Sequence, residues 1–222
     1  MSNHVRVPLW DDADDTHKLT ILKEQIKDLY QLAFSEHIIK VIKTLQKYSP
    51  ADEKEAEDIK FIIETCQIYP NIFSAHCEFG HITGSALIIE PVSRKLLLHY
   101  HLAVGKWLQF GGHSEHEVVP WQIAYREAIE ETNLTDIEFF PADQNPIPLD
   151  IDVHKIKARN DLPEHFHLDF RYLLLTKHPE LALISTESRE FKWVDIDKVD
   201  EMKLDFALHR LINKAKVILD GQ

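Results

Sequence analysis

The strongest constraint on the fold is a change of pattern near residue 80. Beyond that point, short runs rich in β-branched and aromatic residues predict strands. These runs are Thr83 to Ile89, Lys95 to His101, Lys106 to Phe110, Ile137 to Phe140, Asp150 to Ile156, His165 to Thr176 and Glu190 to Val194. Helical periodicity occurs between them from about Trp121 to Thr132, and again from Asp205 to Leu219. Strands interspersed with helices predict an α/β or α+β domain.

The N-terminal part of the chain has a helical pattern instead. Apolar residues recur every three or four positions at Leu19, Leu22, Ile26, Leu29, Ala33, Ile38, Ile42 and Leu45. Ser49 and Pro50 then predict the start of another helix, as a capping residue followed by proline at the first helical position. We therefore divide the chain into an N-terminal helical extension, residues 1–75, and a domain formed by residues 76–222.

Charge and composition exclude several classes of function. The chain has 37 Asp and Glu against 25 Lys and Arg, so general binding to nucleic-acid phosphates is not expected. Its longest apolar runs are far shorter than the roughly 20 residues that a membrane helix needs. The N-terminus lacks a secretory signal pattern, and two cysteines without motif spacing favour a reducing compartment. We therefore expect a cytoplasmic protein that does not bind membranes.

Three carboxylates share one face of the helix predicted from Trp121 to Thr132. Relative to Glu127, a helix places Glu130 at about −60° and Glu131 at about +40°. The opposite stripe, which we expect to pack on the sheet, is Trp121, Tyr125, Ala128, Ile129 and Thr132. Neighbouring anions repel one another unless a cation neutralises them, and hard divalent ions prefer oxygen ligands. The acidic face therefore indicates either a divalent metal site or an exposed acidic helix surface, and the glycine pair before the helix favours the metal site.

The same segment resembles a known family. Gly111 and Gly112, a spacer and Arg-Glu-x-x-Glu-Glu-Thr are similar to the Nudix box, Gly-x5-Glu-x7-Arg-Glu-U-x-Glu-Glu-x-Gly-U, with U aliphatic. The matching residues are Gly112, Arg126, Glu127, Ala128, Glu130, Glu131 and Leu134. Val118 stands where the box has its first Glu, and Glu115 or Glu117 can substitute for it. Asn133 replaces the last Gly, and asparagine tolerates the left-handed conformation common at helix ends.

The resemblance covers about residues 76 to 200 and implies both a fold and an activity. The implied fold is an α/β/α sandwich with a mixed sheet. The implied activity is a Mg²⁺- or Mn²⁺-dependent hydrolysis, in which water attacks a phosphorus of a nucleoside diphosphate linked to another moiety. By the same resemblance, Glu127, Glu130, Glu131 and the Gly111 carbonyl bind the metal. Arg126 orients the carboxylates, so the catalytic candidates are Glu127, Arg126 and Glu130. The general base stays open between Glu127 and an acid outside the box.

A second polar cluster follows from strand alternation. Asp150, Asp152 and His154 share one face of their strand, and the next strand presents His165, His167, Asp169 and Arg171 in the same way. The short connection predicts antiparallel pairing, so one sheet face should carry all seven side chains. The functional interpretation is substrate binding by Asp152, His154, His165, His167, Asp169 and Arg171, with Arg171 on a phosphate. A transition metal at His154, His165 and His167 is a further hypothesis. The alternative is a solvated sheet face.

Two classes of function therefore remain open. One is a pyrophosphohydrolase acting on a small nucleoside diphosphate derivative. The other is a binding or regulatory module that has kept the pocket and lost efficient chemistry, which Val118 favours. The N-terminal helices can serve as a lid, a packing element or a dimer interface, and a homodimer is one expectation.

Overall fold

We describe the protein from a computed structural model. The described residues are 36–158, 163–183 and 188–221, together with Thr20 and Lys23. Residues 36–47 form helix α1. The upstream part of its predicted apolar stripe, from Leu19 to Ala33, lies outside the described residues. No helix in the described part of the chain is long and apolar enough to cross a membrane.

In the part of the chain that the structure describes, three further α-helices follow α1. They are α2, Glu53–Ile68; α3, Pro120–Thr132; and α4, Phe206–Asp220. Helix α2 begins later than predicted, because Asp52 and not Ser49 is its N-cap. The Asp52 carboxylate accepts a hydrogen bond from the Glu55 backbone N–H at 2.8 Å, which satisfies a donor that the first turn leaves without a partner. Short 3₁₀ helices occupy Pro179–Leu181 and Ile196–Glu201.

The described residues contain eight strands, which all belong to one mixed sheet. They are β1, Gly80–Glu90; β2, Lys95–His101; β3, Lys106–Leu108; β4, Phe110–His113; β5, Glu138–Phe139; β6, Asp150–Ile156; β7, His165–Leu175; and β8, Ser188–Asp195. The central strand β1 is antiparallel to β2 and β4 and parallel to β7. The single strand predicted from Lys106 to Phe110 is two strands, since β3 pairs with β2 while β4 crosses to pair with β1.

Helices cover both faces of this sheet. Ile82, Ala86 and Ile88 of β1 join a buried cluster with residues of α1, α2 and α3. Leu87 and Ile89 face the other way and pack with α4. The predicted α/β fold, with helical layers on either side of a mixed sheet, is therefore confirmed.

Helix α2 and the residues before it cover the outer edge of β6. The Glu55 carboxylate accepts from the Ile151 backbone N–H at 2.9 Å, and the Tyr48 hydroxyl donates to the Leu149 carbonyl at 2.7 Å. An uncovered edge strand would leave such groups open to pairing with another chain. The described N-terminal helices therefore pack on the sheet, and the division of the chain at residue 75 stays a prediction.

Close packing of α3 on β1 depends on Gly84. A Cβ atom there would lie 2.3 Å from the Pro120 carbonyl oxygen and 2.7 Å from the Ala124 nitrogen. Both are backbone atoms of α3, so the helix would have to move. We expect Gly84→Ala to lower the free energy of unfolding by about 1–3 kcal/mol, as overpacking does. Urea denaturation measures the change. Gly221→Ala is the control, because its Cβ would meet nothing closer than 3.5 Å, and equal losses in both variants would contradict the packing argument.

Candidate active site

Gly111 and Gly112 let three segments, β1, β4 and α3, approach one another closely. Gly112 lies opposite Gly84 in the β1–β4 ladder, and a Cβ on Gly112 would be 2.3 Å from Oε1 of Glu127. A Cβ on Gly111 would be 2.3 Å from the Cβ of Ser85. Only residues without side chains allow this approach. The Glu127 carboxylate of α3 therefore lies directly against the backbone of β4.

Arg126 is the centre of the site. Its Nη1 donates to Glu127 Oε1 at 3.1 Å and to Glu130 Oε2 at 2.8 Å, and its Nη2 donates to the His113 carbonyl at 2.6 Å. Its Nε donates to Glu117 Oε1 at 2.5 Å. The guanidinium thus contacts three carboxylates and joins α3 to the loop that precedes it.

Glu117, one residue before Val118, supplies a carboxylate to Arg126. Its second carboxylate oxygen accepts from the backbone N–H groups of Glu115 at 2.9 Å and His116 at 3.1 Å. Burial on its own would raise the pKa of Glu117, but the hydrogen bond from Arg126 and those from the backbone lower it to about 2. The shift of one residue relative to the box therefore preserves a carboxylate that orients the arginine.

The contribution of Glu117 to stability should depend on pH. Its pKa falls from 4.5 to about 2 on folding, so its stabilisation is complete above the unfolded value and is lost as the pH drops through the folded value. We expect the difference in unfolding free energy between wild type and Glu117→Gln to be constant near neutral pH and to shrink below about pH 4.5. Urea titrations in EDTA measure it. A difference that persists unchanged at the lowest pH would contradict the ionic origin.

The three glutamates of α3 do not share one exposed surface. Glu131 is buried and accepts from the Gly111 N–H at 2.9 Å, whereas the side chain of Glu130 is 53% exposed. The face that carries Glu127 and Glu131 also carries Ile123 and Ala124, both fully buried. Trp121 and Tyr125, predicted to face the core, are only partly buried and pack on Phe139. The predicted packing stripe is therefore wrong in part, because glycines in β1 and β4 let the acidic face approach the sheet.

His99 of β2 is a neighbour of this site that the motif does not include. Its Nδ1 is 3.8 Å from Glu131 Oε1 and 2.6 Å from the Ser188 hydroxyl. Burial, with a further contribution from His101, lowers the pKa of His99 to about 4. The imidazole is therefore neutral near pH 7 and contributes hydrogen bonding, not charge. Its place on β2 follows from alternation, but its contact with Glu131 depends on the packing of α3.

The polar side chains of β6 and β7 lie on one face of the sheet, and the strands pair antiparallel, as predicted. Asp150 lies opposite Arg171, Asp152 opposite Asp169, and His154 opposite His167. The acids and the arginine are nevertheless buried, so the alternative of a solvated face is wrong for them. Helix α4 covers this end of the face, with Arg210 donating to Asp150 at 2.8 and 3.0 Å.

Arg171 has a different role from the phosphate contact that the sequence predicts. Its guanidinium donates to Asp169 at 3.0 Å and to Asp152 at 2.9 Å, and its Nη1 is 3.5 Å from Asp150. Asp169 also accepts from Thr83 at 3.0 Å. These groups pair with one another inside the fold, so Arg171, Asp152 and Asp169 form an internal ion-pair network.

The histidines of this face meet a histidine that the prediction missed. His81 of β1 lies beside His167 in the parallel β1–β7 ladder, with ring centroids 5.0 Å apart. The ring of His165 stacks on the ring of His81 at a centroid distance of 5.1 Å. His113 of the box loop is also adjacent, with its Nε2 3.1 Å from that of His167. Burial, followed by the charges of neighbouring histidines, lowers the pKa of His81 to about 4 and lowers that of His167 further. Strand alternation predicts which way His81 faces, but not which strand lies beside it.

Solved structures of Nudix proteins are similar to part of this chain. An Ap4A hydrolase from C. elegans is 18% identical, with a TM-score of 0.48 over 64% of this chain and 98% of that one. A NUDIX family hydrolase from Clostridium perfringens is 26% identical, with a TM-score of 0.46 over 62% and 97%. The NUDIX domain of Shewanella oneidensis NrtR, complexed with ADP ribose, is 20% identical, with a TM-score of 0.43 over 70% and 97%. No family model and no curated protein matches the chain. The structures bear the name of the family that the box resembles.

Proposed function

We propose that the protein is a metal-dependent Nudix pyrophosphohydrolase that cleaves a nucleoside diphosphate linked to another moiety. The observation that carries this proposal is the set of contacts around Arg126. The arginine holds Glu127 and Glu130 beside the glycine loop, and Glu117 supplies the carboxylate that Val118 lacks. The departure from the box that favoured an inactive binding module is thus compensated in space.

The carboxylates of α3 are oxygen donors of the kind that Mg²⁺ or Mn²⁺ prefers. Glu127 and Glu130 each present an oxygen to the same nitrogen of Arg126, so the two carboxylates lie close enough for one cation to contact both. Hard divalent cations prefer such carboxylate oxygens, completed by carbonyls and substrate phosphates. We propose Glu127, Glu130, Glu131 and the Gly111 carbonyl as the ligands. Glu131, which also binds the Gly111 N–H, keeps that loop against α3.

The chain's own residues would position the reaction. A bound divalent ion supplies neutralisation of the diphosphate and a lower pKa for the attacking water. Arg126 holds three carboxylates in place and also donates to the His113 carbonyl. The buried Glu131 anchors the glycine loop through the Gly111 N–H. Glu127, placed against Gly112, is the candidate within the box for accepting the proton from water.

A panel of nucleoside diphosphate derivatives tests the proposal. It should include ADP-ribose, dinucleoside polyphosphates and nucleotide sugars, each with Mg²⁺, Mn²⁺ or EDTA, with products separated by chromatography. We expect cleavage of at least one class that stops in EDTA. Reaction in H₂¹⁸O, with the label found on a phosphate product, would show attack at phosphorus. Tight binding without cleavage, unchanged in a Glu130→Gln, Glu131→Gln double variant, would instead support the regulatory module.

Three further expectations accompany this function. The substrate is a small molecule, the protein acts in the cytoplasm, and a homodimer is possible. None of them follows from the site geometry, so each stays a prediction. Size-exclusion chromatography with light scattering measures the oligomeric state directly.

A further inference from the structure

The histidine cluster has the spacing of a metal site. His81, His165 and His167 each offer a ring nitrogen, and the three atoms lie within 4.8 Å of one another. Two of the residues are on β7 and the third is on the parallel neighbour β1. Two packed strands therefore hold the imidazoles together, with no dependence on a loop.

His81 is the strongest sign that a ligand belongs there. It is 2% exposed, and neither ring nitrogen makes a hydrogen bond of normal geometry, although the Cys77 backbone is close enough to influence the ring. Buried polar groups in folded proteins are nearly always paired, so a buried imidazole with at least one unpaired nitrogen calls for an explanation. Rings of other histidines surround it at 4.9–5.1 Å. A cation bound between these rings would satisfy the lone pair of His81.

His165 is oriented as metal ligands usually are. Its Nδ1 lies 2.8 Å from the Pro163 carbonyl oxygen, which can only accept a hydrogen bond. The proton therefore resides on Nδ1, and Nε2 carries the free lone pair. Such a hydrogen bond from the second ring nitrogen to a carbonyl fixes the tautomer and direction of metal-binding histidines.

We propose that His81, His165 and His167 bind a divalent first-row transition-metal ion, for which Zn²⁺ is the natural probe. Imidazole ligands suit zinc, iron, nickel and copper, whereas Mg²⁺ and Mn²⁺ favour oxygen. Three protein ligands leave a position open for water or another group. The site replaces the predicted combination with His154, whose Nδ1 is instead paired with Asp152 at 3.1 Å.

This site is distinct from the carboxylate site and borders it. Gly84 and Gly112 face α3, so alternation places the side chains of His81 and His113 on the opposite face of the sheet. His113 connects the two sites, because its ring contacts His167 and its carbonyl accepts from Arg126. An ion held by the histidines would brace β1 and β7 next to the box loop. The inference does not depend on the proposed hydrolysis.

Zinc stoichiometry tests the site without any measurement of activity. The full chain, purified without an affinity tag and stripped with a chelator, would be dialysed against Zn²⁺ in excess Mg²⁺ and analysed for metal. We expect one tightly bound zinc per chain. When Co²⁺ replaces zinc, the protein should show visible absorption bands as intense as those of cobalt bound by few ligands, most of them nitrogen.

Ligand variants give the sharper comparison. Loss of an outer-shell partner already costs about 10- to 100-fold in metal affinity, so His165→Gln and His167→Gln should each weaken zinc binding by at least about 100-fold. His178→Gln is the matched control, since its exposed ring lies outside the cluster and pairs with Glu180. Glu130→Gln should also leave zinc binding intact, which separates this site from the proposed hydrolytic one.

Two results would overturn the proposal. One is the absence of bound zinc in the wild-type chain under these conditions. The other is full zinc stoichiometry in a His165→Gln, His167→Gln double variant that keeps the wild-type circular dichroism spectrum. If the double variant does not fold, the zinc affinity of the single His165→Gln variant is the deciding measurement. An unchanged zinc affinity in that variant would exclude His165 as a ligand.

Discussion

Glu127→Gln is expected to lower kcat for pyrophosphate cleavage by about 100- to 10,000-fold, the range for removal of a positioned acid–base group. Glutamine keeps the size of the side chain but removes the charge that binds Arg126 and that we propose to bind a divalent ion. The Glu127 side chain is only 17% exposed and lies against Gly112, so solvent can compensate little for the lost negative charge. Steady-state kinetics on the best substrate of the panel, with saturating Mg²⁺, measure the loss.

The matched control is Glu64→Gln. Glu64 is on α2, with a side chain 58% exposed and a long contact of 3.9 Å to Lys60. The same chemical change there should leave kcat at the wild-type value. Near-normal activity of Glu127→Gln, in a variant that is folded and binds substrate, would remove Glu127 from the catalytic site. It would leave the zinc prediction untouched.

Arg171→Met is expected to lower the free energy of unfolding by about 3–5 kcal/mol. Arg171 is 5% exposed and faces Asp150, Asp152 and Asp169, all of them buried. Removing the cation leaves these carboxylates with less compensation inside the fold. Because domains are stable by only about 5–15 kcal/mol, the loss should be visible as a large drop in the urea midpoint.

Arg94→Met provides the comparison for Arg171. Arg94 also contacts two carboxylates, Asp220 at 2.7 Å and Asp197 at 3.7 Å, but these are half exposed. Water can solvate the remaining acids, so the expected cost is below about 1 kcal/mol. Equal effects of the two variants would mean that the network around Arg171 is solvated, and would revive its predicted contact with phosphate.

Several features of the site were readable in the sequence because they depend on near neighbours along the chain. The strand pattern, the helix that carries the box and the left-handed Asn133, with φ of +58°, all follow from local preferences. The antiparallel pairing of β6 with β7 and their shared polar face follow from alternation and a short connection. The substitution of Glu117 for the carboxylate missing at Val118 was also open to inference, since the two are adjacent.

Other features were decided when distant segments packed together. His81 joins His165 and His167 because β1 and β7 pair in parallel, and nothing near either strand specifies that neighbour. The acids and the arginine on the polar face of β6 and β7 are buried, because α4 brings Arg210 onto that end of the face. Periodicity thus determined which residues share a face. Only the tertiary structure determined whether that face meets water, a helix or another imidazole, because burial depends on what packs against it.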